Sequence, residues 1–149
     1  MKKLVVLMTV ITTLLVGCTG KTETNVDVKE LASEIATDIE FKDELSEVDK
    51  DLVETIYPNV DMSLIEDSCV YYNGGSTVEQ IAIFKAKDEK SAREFQDGLE
   101  KCIQSQIDTN RNYLPDEIPK LEDPVLKVQN QYVFFVVSEH NDEVSKLLP

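Results

Sequence analysis

The chemistry available to this chain is narrow, because carboxylates are abundant and other reactive side chains are scarce. His140 is the only histidine. A Ser-His-Asp or Cys-His nucleophilic site would have to be built on it. Its neighbours Glu139, Asn141 and Asp142 read instead as a surface turn. Structural zinc needs four nitrogen or sulfur ligands, and one histidine with the distant Cys69 and Cys102 does not supply them. The phosphate-cradling and nucleophile-elbow patterns, G-x-x-x-x-G-K-[ST], G-x-G-x-x-G and G-x-S-x-G, do not occur. No cofactor, metal site or catalytic residue is therefore assigned from the sequence.

The 29 acidic side chains allow a pair placed for general acid–base work. The densest run is Asp38, Glu40, Asp43, Glu44, Glu47, Asp49 and Asp51. It lacks the alternating spacing that wraps calcium, and reads as solvated helix faces. Lys85 interrupts a strand otherwise apolar on both sides, so it is expected to pair with an acid or to sit at a sheet edge.

Cysteine gives the sharpest signal. Residues 1–18 combine a basic start (Lys2, Lys3), an uncharged and mostly apolar run from Leu4 to Val16, and Leu15-Val16-Gly17-Cys18. The run is too short to span a bilayer core, which needs about 20 apolar residues. It reads as a signal peptide over 1–17 that is cut before Cys18. A diacylglycerol on that thiol supplies the two acyl chains that stable anchoring needs. The expected address is the cell membrane, with the protein lipid-anchored and facing outside the cytoplasm. Cys69 and Cys102 remain. An oxidising compartment permits a bond between them, and two buried thiols acting as small hydrophobes are the other reading.

Composition bounds the partners. The net charge is −14, and losing Lys2 and Lys3 makes the mature chain more acidic still. Nucleic acid is excluded, since phosphate binding needs clustered Lys and Arg. The plain reading of the charge is solubility, and the sharper one a preference for cationic or cation-coated partners in the wall.

The elements that must position any site follow from periodicity. Residues 18–26 are small and polar, a tether from lipid to domain. Asp27 with Glu30 resembles a capping box, and Val28, Leu31, Ala32, Ile35 and Ile39 predict a helix over about 28–39. Ser46 and Asp49 suggest a second cap, ahead of a shorter helix carrying Val48, Leu52, Val53 and Ile56 and ending before Pro58. Residues 65–72 and 79–86 predict strands, joined by turn chemistry at Asn73, Gly74, Gly75 and Ser76. Asp88 caps a long helix over about 89–111, within which Gly98 suggests close packing against the sheet. Pro115, Pro119 and Pro124 mark an irregular stretch. Residues 125–128 and 132–138 predict a hairpin, and 141–147 a closing helix.

The order α-α-β-β-α-β-β-α implies an α+β class, a mainly antiparallel four-stranded sheet packed with helices in one domain over 27–149. Ile81–Phe84 and Tyr132–Val137 are apolar on both faces, so both strands are expected centrally, covered on each side. The long helix is expected on one face and the N-terminal helices on the other. Two loops stand out as candidate functional surfaces. One is the Gly-rich tip around Asn73, Gly74 and Gly75. The other is the long Tyr113–Pro124 connection, with Tyr113 and Pro115.

Three segments, Tyr71–Ser76, Glu79–Asp88 and Tyr132–Ser138, together with Pro119-Lys120-Leu121, resemble a family of small lipoproteins of low-GC Gram-positive bacteria. This is domain-of-unknown-function family 4358, and the resemblance covers about residues 28–147. It implies a lipid-anchored single domain and brings no activity, substrate or catalytic residue. The expected function is a non-enzymatic binding module at the cell surface, with a protein or wall component as partner. The alternative is a small-ligand receptor or hydrolase using carboxylates in a cleft. A homodimer through an uncovered sheet face is a third reading.

Overall fold

A computed structural model describes residues 25–149. The signal segment, Cys18 and most of the tether lie outside the described residues. The first helix, α1 (Val28–Asp38), starts where Asp27 accepts hydrogen bonds from the backbone N–H groups of Lys29 and Glu30, at 3.0 and 2.9 Å. Then follow β1 (Ser46–Glu47), a 3₁₀ turn at Lys50–Leu52, α2 (Val53–Ile56), β2 (Ile65–Tyr72), β3 (Gln80–Ala86) and α3 (Glu89–Asn110). Another 3₁₀ turn, Met62–Leu64, precedes β2, and one at Pro115–Glu117 leads into α4 (Ile118–Glu122), β4 (Val125–Gln129), β5 (Tyr132–Val137) and α5 (Asn141–Leu147).

The sheet is antiparallel throughout, in the order β1-β2-β3-β5-β4. It has five strands where the sequence predicts four. Ser46 and Glu47, read as the edge of a helix, pair instead with Tyr72 and Tyr71. A two-residue strand is too short to show a period, so only its partner reveals it. The two strands apolar on both faces, β3 and β5, are central as expected.

Alternation across these strands divides the core in two. Ala82, Phe84, Val133 and Phe135 face α3, through Phe95, Leu99 and Cys102, and also Val53 and Tyr57. Ile81, Ile83, Phe134 and Val136 face Val28, Leu31, Ala32 and Ile35 of α1, with Val144 and Leu148 closing the same layer. Both faces of the central strands are thus covered. The expectation that the N-terminal helices share one face is corrected. Only α1 lies there, and α2 packs on the α3 side because Val53 and Tyr57 join Phe84 and Phe135.

Of the two readings of Cys69 and Cys102, the structure has the free, buried thiols: Cys69 belongs to the α1 layer and Cys102 to the α3 layer, so the sheet separates them. Gly98 does mark a close approach, but to the chain after α2 rather than to the sheet. A Cβ added there would stand 2.7 Å from the Asn59 carbonyl oxygen.

Candidate functional site

The two loops singled out in the sequence meet at one end of the sheet. Between β2 and β3, Asn73 is buried, accepts a hydrogen bond from Gly75 N at 2.9 Å and donates to Thr77 Oγ1. Gly75 has φ +95°, a backbone state that glycine adopts without the Cβ penalty. The Tyr113–Pro124 connection is not irregular. Pro115 opens its 3₁₀ turn and Pro119 stands in the first turn of α4, where a missing N–H costs nothing and the fixed φ favours the helix. Tyr113 is 78% exposed on this connection.

Buried charge clamps the two loops together. Lys120 reaches inward from α4, only 8% exposed. Its Nζ lies 3.0 Å from Glu79 Oε1, 3.0 Å from Glu117 Oε2 and 3.1 Å from Glu139 Oε1. Glu79 and Glu117 are 1% and 3% exposed. Lys42, on the segment after α1, adds a second cation. Its Nζ donates to Glu117 Oε1 at 2.9 Å and its backbone N–H to Glu79 Oε2 at 2.7 Å. The Val78 N–H donates to Glu117 Oε2 at 3.5 Å, tying the hairpin loop to the crossover directly. Beside the clamp, Tyr57 donates to Gln80 Oε1 at 2.7 Å, and Gln80 Nε2 donates to Val78 O and Gln106 Oε1 at 3.0 and 2.9 Å.

These surroundings set the protonation states. Burial pushes the Glu117 carboxyl upward, but Lys42 and Lys120, with the Val78 N–H, hold it below the usual carboxylate value. Burial likewise opposes the Lys120 charge, and the Glu79, Glu117 and Glu139 carboxylates more than offset it, leaving the ammonium above the ordinary lysine value. A general base or a nucleophilic lysine works best with its pKa near the operating pH. Here the acid is held low and the lysine high, each committed to the other. The arrangement acts as a clamp that fixes two loops.

The remaining candidates stand apart from it. His140 Nδ1 lies 3.5 Å from Glu143 at the start of α5. Lys85 reaches Glu66 at 3.5 Å, both partly exposed, at the opposite end of β3. Among the described residues, no group of three His, Cys, Asp or Glu is placed to hold a metal ion, and no helix is long and apolar enough to cross a membrane. Sequence reasoning missed Glu79, Glu117, Lys120, Lys42 and Gln80. The available signals were an acid and an amide placed just ahead of the apolar run Ile81–Phe84, and Ile118 and Leu121 at helical spacing behind Pro115.

Fold and site together define a small antiparallel α+β domain with a charge-clamped loop pair at one end of its sheet. The chain belongs to the DUF4358 family, a domain of unknown function, whose family model matches residues 37–138. That span holds every member of the clamp except Glu139. No curated protein and no solved structure matches the chain significantly.

Proposed function

We propose that this chain is a lipid-anchored extracytoplasmic domain that binds a partner, and that its partner-facing surface is the clamped loop pair. The supporting observation is the direction of α1. Val26 N donates to Tyr132 Oη at 3.2 Å, at the end of the sheet where Lys85 pairs with Tyr132. From there the 11-residue α1 crosses the sheet, about 16 Å at 1.5 Å per residue. The chain then delivers Lys42 to Glu79 and Glu117 at the other end. A tether on Cys18 would hold the first end near the bilayer and present the loop pair away from it. The buried acids of the clamp are fully engaged by lysines and backbone N–H groups, which favours binding over carboxylate catalysis.

Cys18→Ser tests the anchor. The wild-type chain is expected to carry the mass of a diacylglyceryl group and to partition into detergent, and the variant to lose both. Equal masses would sink that part of the reading. A photo-crosslinking residue at Tyr113, compared with one at Lys90, tests the surface. A discrete adduct in native membranes is expected from position 113 only, and identical patterns from both positions would count against it.

A further inference from the structure

The sheet has one long edge that nothing in the described chain pairs. At the β1 side, the edge of β2 is partly closed by β1 and by a hydrogen bond from Val48 N to Val70 O at 2.9 Å. At the other side lies β4, half-buried along its whole length. The direction of its peptide groups can be counted. Ala86 N donates to Gln131 O at 2.7 Å, so Gln131, Val133 and Phe135 turn their peptide groups toward β3. Tyr132, Phe134 and Val136 therefore face β4 and bond Gln129, Lys127 and Val125, their register partners. Leu126 and Val128 are left with N–H and C=O groups pointing off the sheet, and no other backbone group of the described chain bonds them.

A cleft of about 540 Å³ adjoins this edge and shares Leu126 with it. Its opposite wall is the last part of α3 from Glu100, with Arg111 just beyond the helix end. The lining joins apolar Ile107 and Leu126 to the acids Glu100, Glu122 and Asp123, against one cation, Arg111, which lies 3.8 Å from Asp108. Lys127, a residue type that commonly guards edges, is engaged elsewhere, donating to the Pro149 backbone oxygen.

We propose that the β4 edge and this cleft take an extended, basic segment of a partner protein as a sixth strand. Its backbone pairs with Leu126 and Val128. One apolar side chain enters the cleft, flanked by Lys or Arg against Glu100, Glu122 and Asp123. Strand addition supplies affinity through the main chain and specificity through alternate side chains. Charge selects the occupant. A second copy would bring another net −14 to the same acidic rim, whereas a basic segment is attracted and steered. The inference goes beyond the loop-pair surface proposed above by placing a partner contact at a second site, and is independent of the lipid anchor.

The test titrates the full chain in detergent with a fluorescent peptide built on a Lys-Thr-Val-Thr-Lys core, which places two lysines and the valine on one face. Saturable, salt-weakened binding is expected, with no binding by the Glu-Thr-Val-Thr-Glu analogue or by a backbone N-methylated peptide. Glu122→Lys combined with Asp123→Lys is expected to weaken binding by about tenfold or more, about 1.4 kcal/mol. Val128→Pro removes an outward N–H without touching the inner ladder, and is expected to weaken binding similarly while the circular dichroism stays unchanged. Should that variant misfold, the N-methylated peptide tests the same bonds. Absent binding, equal binding of the acidic or N-methylated peptide, or a dimer in sedimentation that Val128→Pro dissolves would overturn the proposal. Cys18→Ser is expected to bind the peptide like the wild type, so failure of the anchor reads out in its mass and failure of the edge in this titration.

Discussion

Replacing Lys120 by Met keeps the length and apolar stem of the side chain and deletes its charge. Three carboxylates lose a partner, but unequally. The Glu139 side chain is 62% exposed, and water replaces most of what it loses. Glu79 and Glu117 are buried. Glu79 keeps the Lys42 N–H and Glu117 keeps Lys42 Nζ and the Val78 N–H, so two acids in one interior are left with one cation. Breaking a buried pair by removing one partner costs about 3–5 kcal/mol. The surviving Lys42 contacts put this case at the lower end, about 3 kcal/mol at neutral pH. In urea, with a slope of about 1.5 kcal/mol per molar, the midpoint falls by about 2 M.

The pH dependence separates this cause from simple loss of packing. In the wild type the Glu117 pKa is lowered on folding, so its contribution is present above the unfolded carboxyl value and lost as pH falls through the folded one. In Lys120→Met the buried acids are poorly compensated, and protonation relieves them. The gap between variant and wild type therefore narrows on acidification. At the alkaline end the gap narrows again, now as pH rises. The wild-type Lys120 value is raised above 10.5, so its contribution holds below that pH and is lost above it. Urea melts of the full chain at neutral and acidic pH measure all of this. Adding Glu79→Gln to Lys120→Met should recover part of the loss. A deficit under about 1 kcal/mol at neutral pH, or one that acid leaves unchanged, refutes the reasoning.

Gly98→Ala gains about 1 kcal/mol of helix propensity but drives a methyl to 2.7 Å from the Asn59 carbonyl oxygen. Overpacking of about 1–3 kcal/mol outweighs the gain, so a lower melting point is expected, while Gly74→Ala, with nothing within 4 Å, should be neutral. Cys69 and Cys102 should titrate as free thiols in denaturant, with no increase after reduction. In the folded chain Cys69 should react slowly, since burial pushes its thiol up to about 11. Tyr57→Phe leaves Gln80 Oε1 without its Tyr57 donor and should cost about 1–3 kcal/mol by calorimetry; a neutral outcome would show that water reaches that oxygen.

What could be read in advance followed periodicity. The stripe Ala92, Phe95, Leu99, Cys102, Ile103, Ile107 defines α3 without help from any neighbour. The two-faced apolar runs of β3 and β5 require covers on both sides, which α1 and α3 provide. What could not be read depends on partners distant in sequence. Ser46 and Glu47 become a strand only because Tyr71 and Tyr72 lie beside them. Val53 and Tyr57 choose their side of the sheet by fitting Phe84 and Phe135. The clamp was hidden for the same reason. Charged residues ordinarily mark solvent, and nothing local to Glu79, Glu117 or Lys120 says that each has a partner inside.

The clamp also bears on how the chain reaches one structure. Its members come from four separate stretches, around residues 42, 79, 117–120 and 139, with pairings 37, 41 and 75 residues apart. Of these, Glu79, Glu117 and Lys120 are buried, and none of the three can be buried alone without leaving a bare charge in the interior. The clamp closes only when the stretches around residues 42, 79 and 117–120 have arrived in register. A chain truncated or mispaired at any of these stretches thus leaves buried charge at that end of its sheet without its partner.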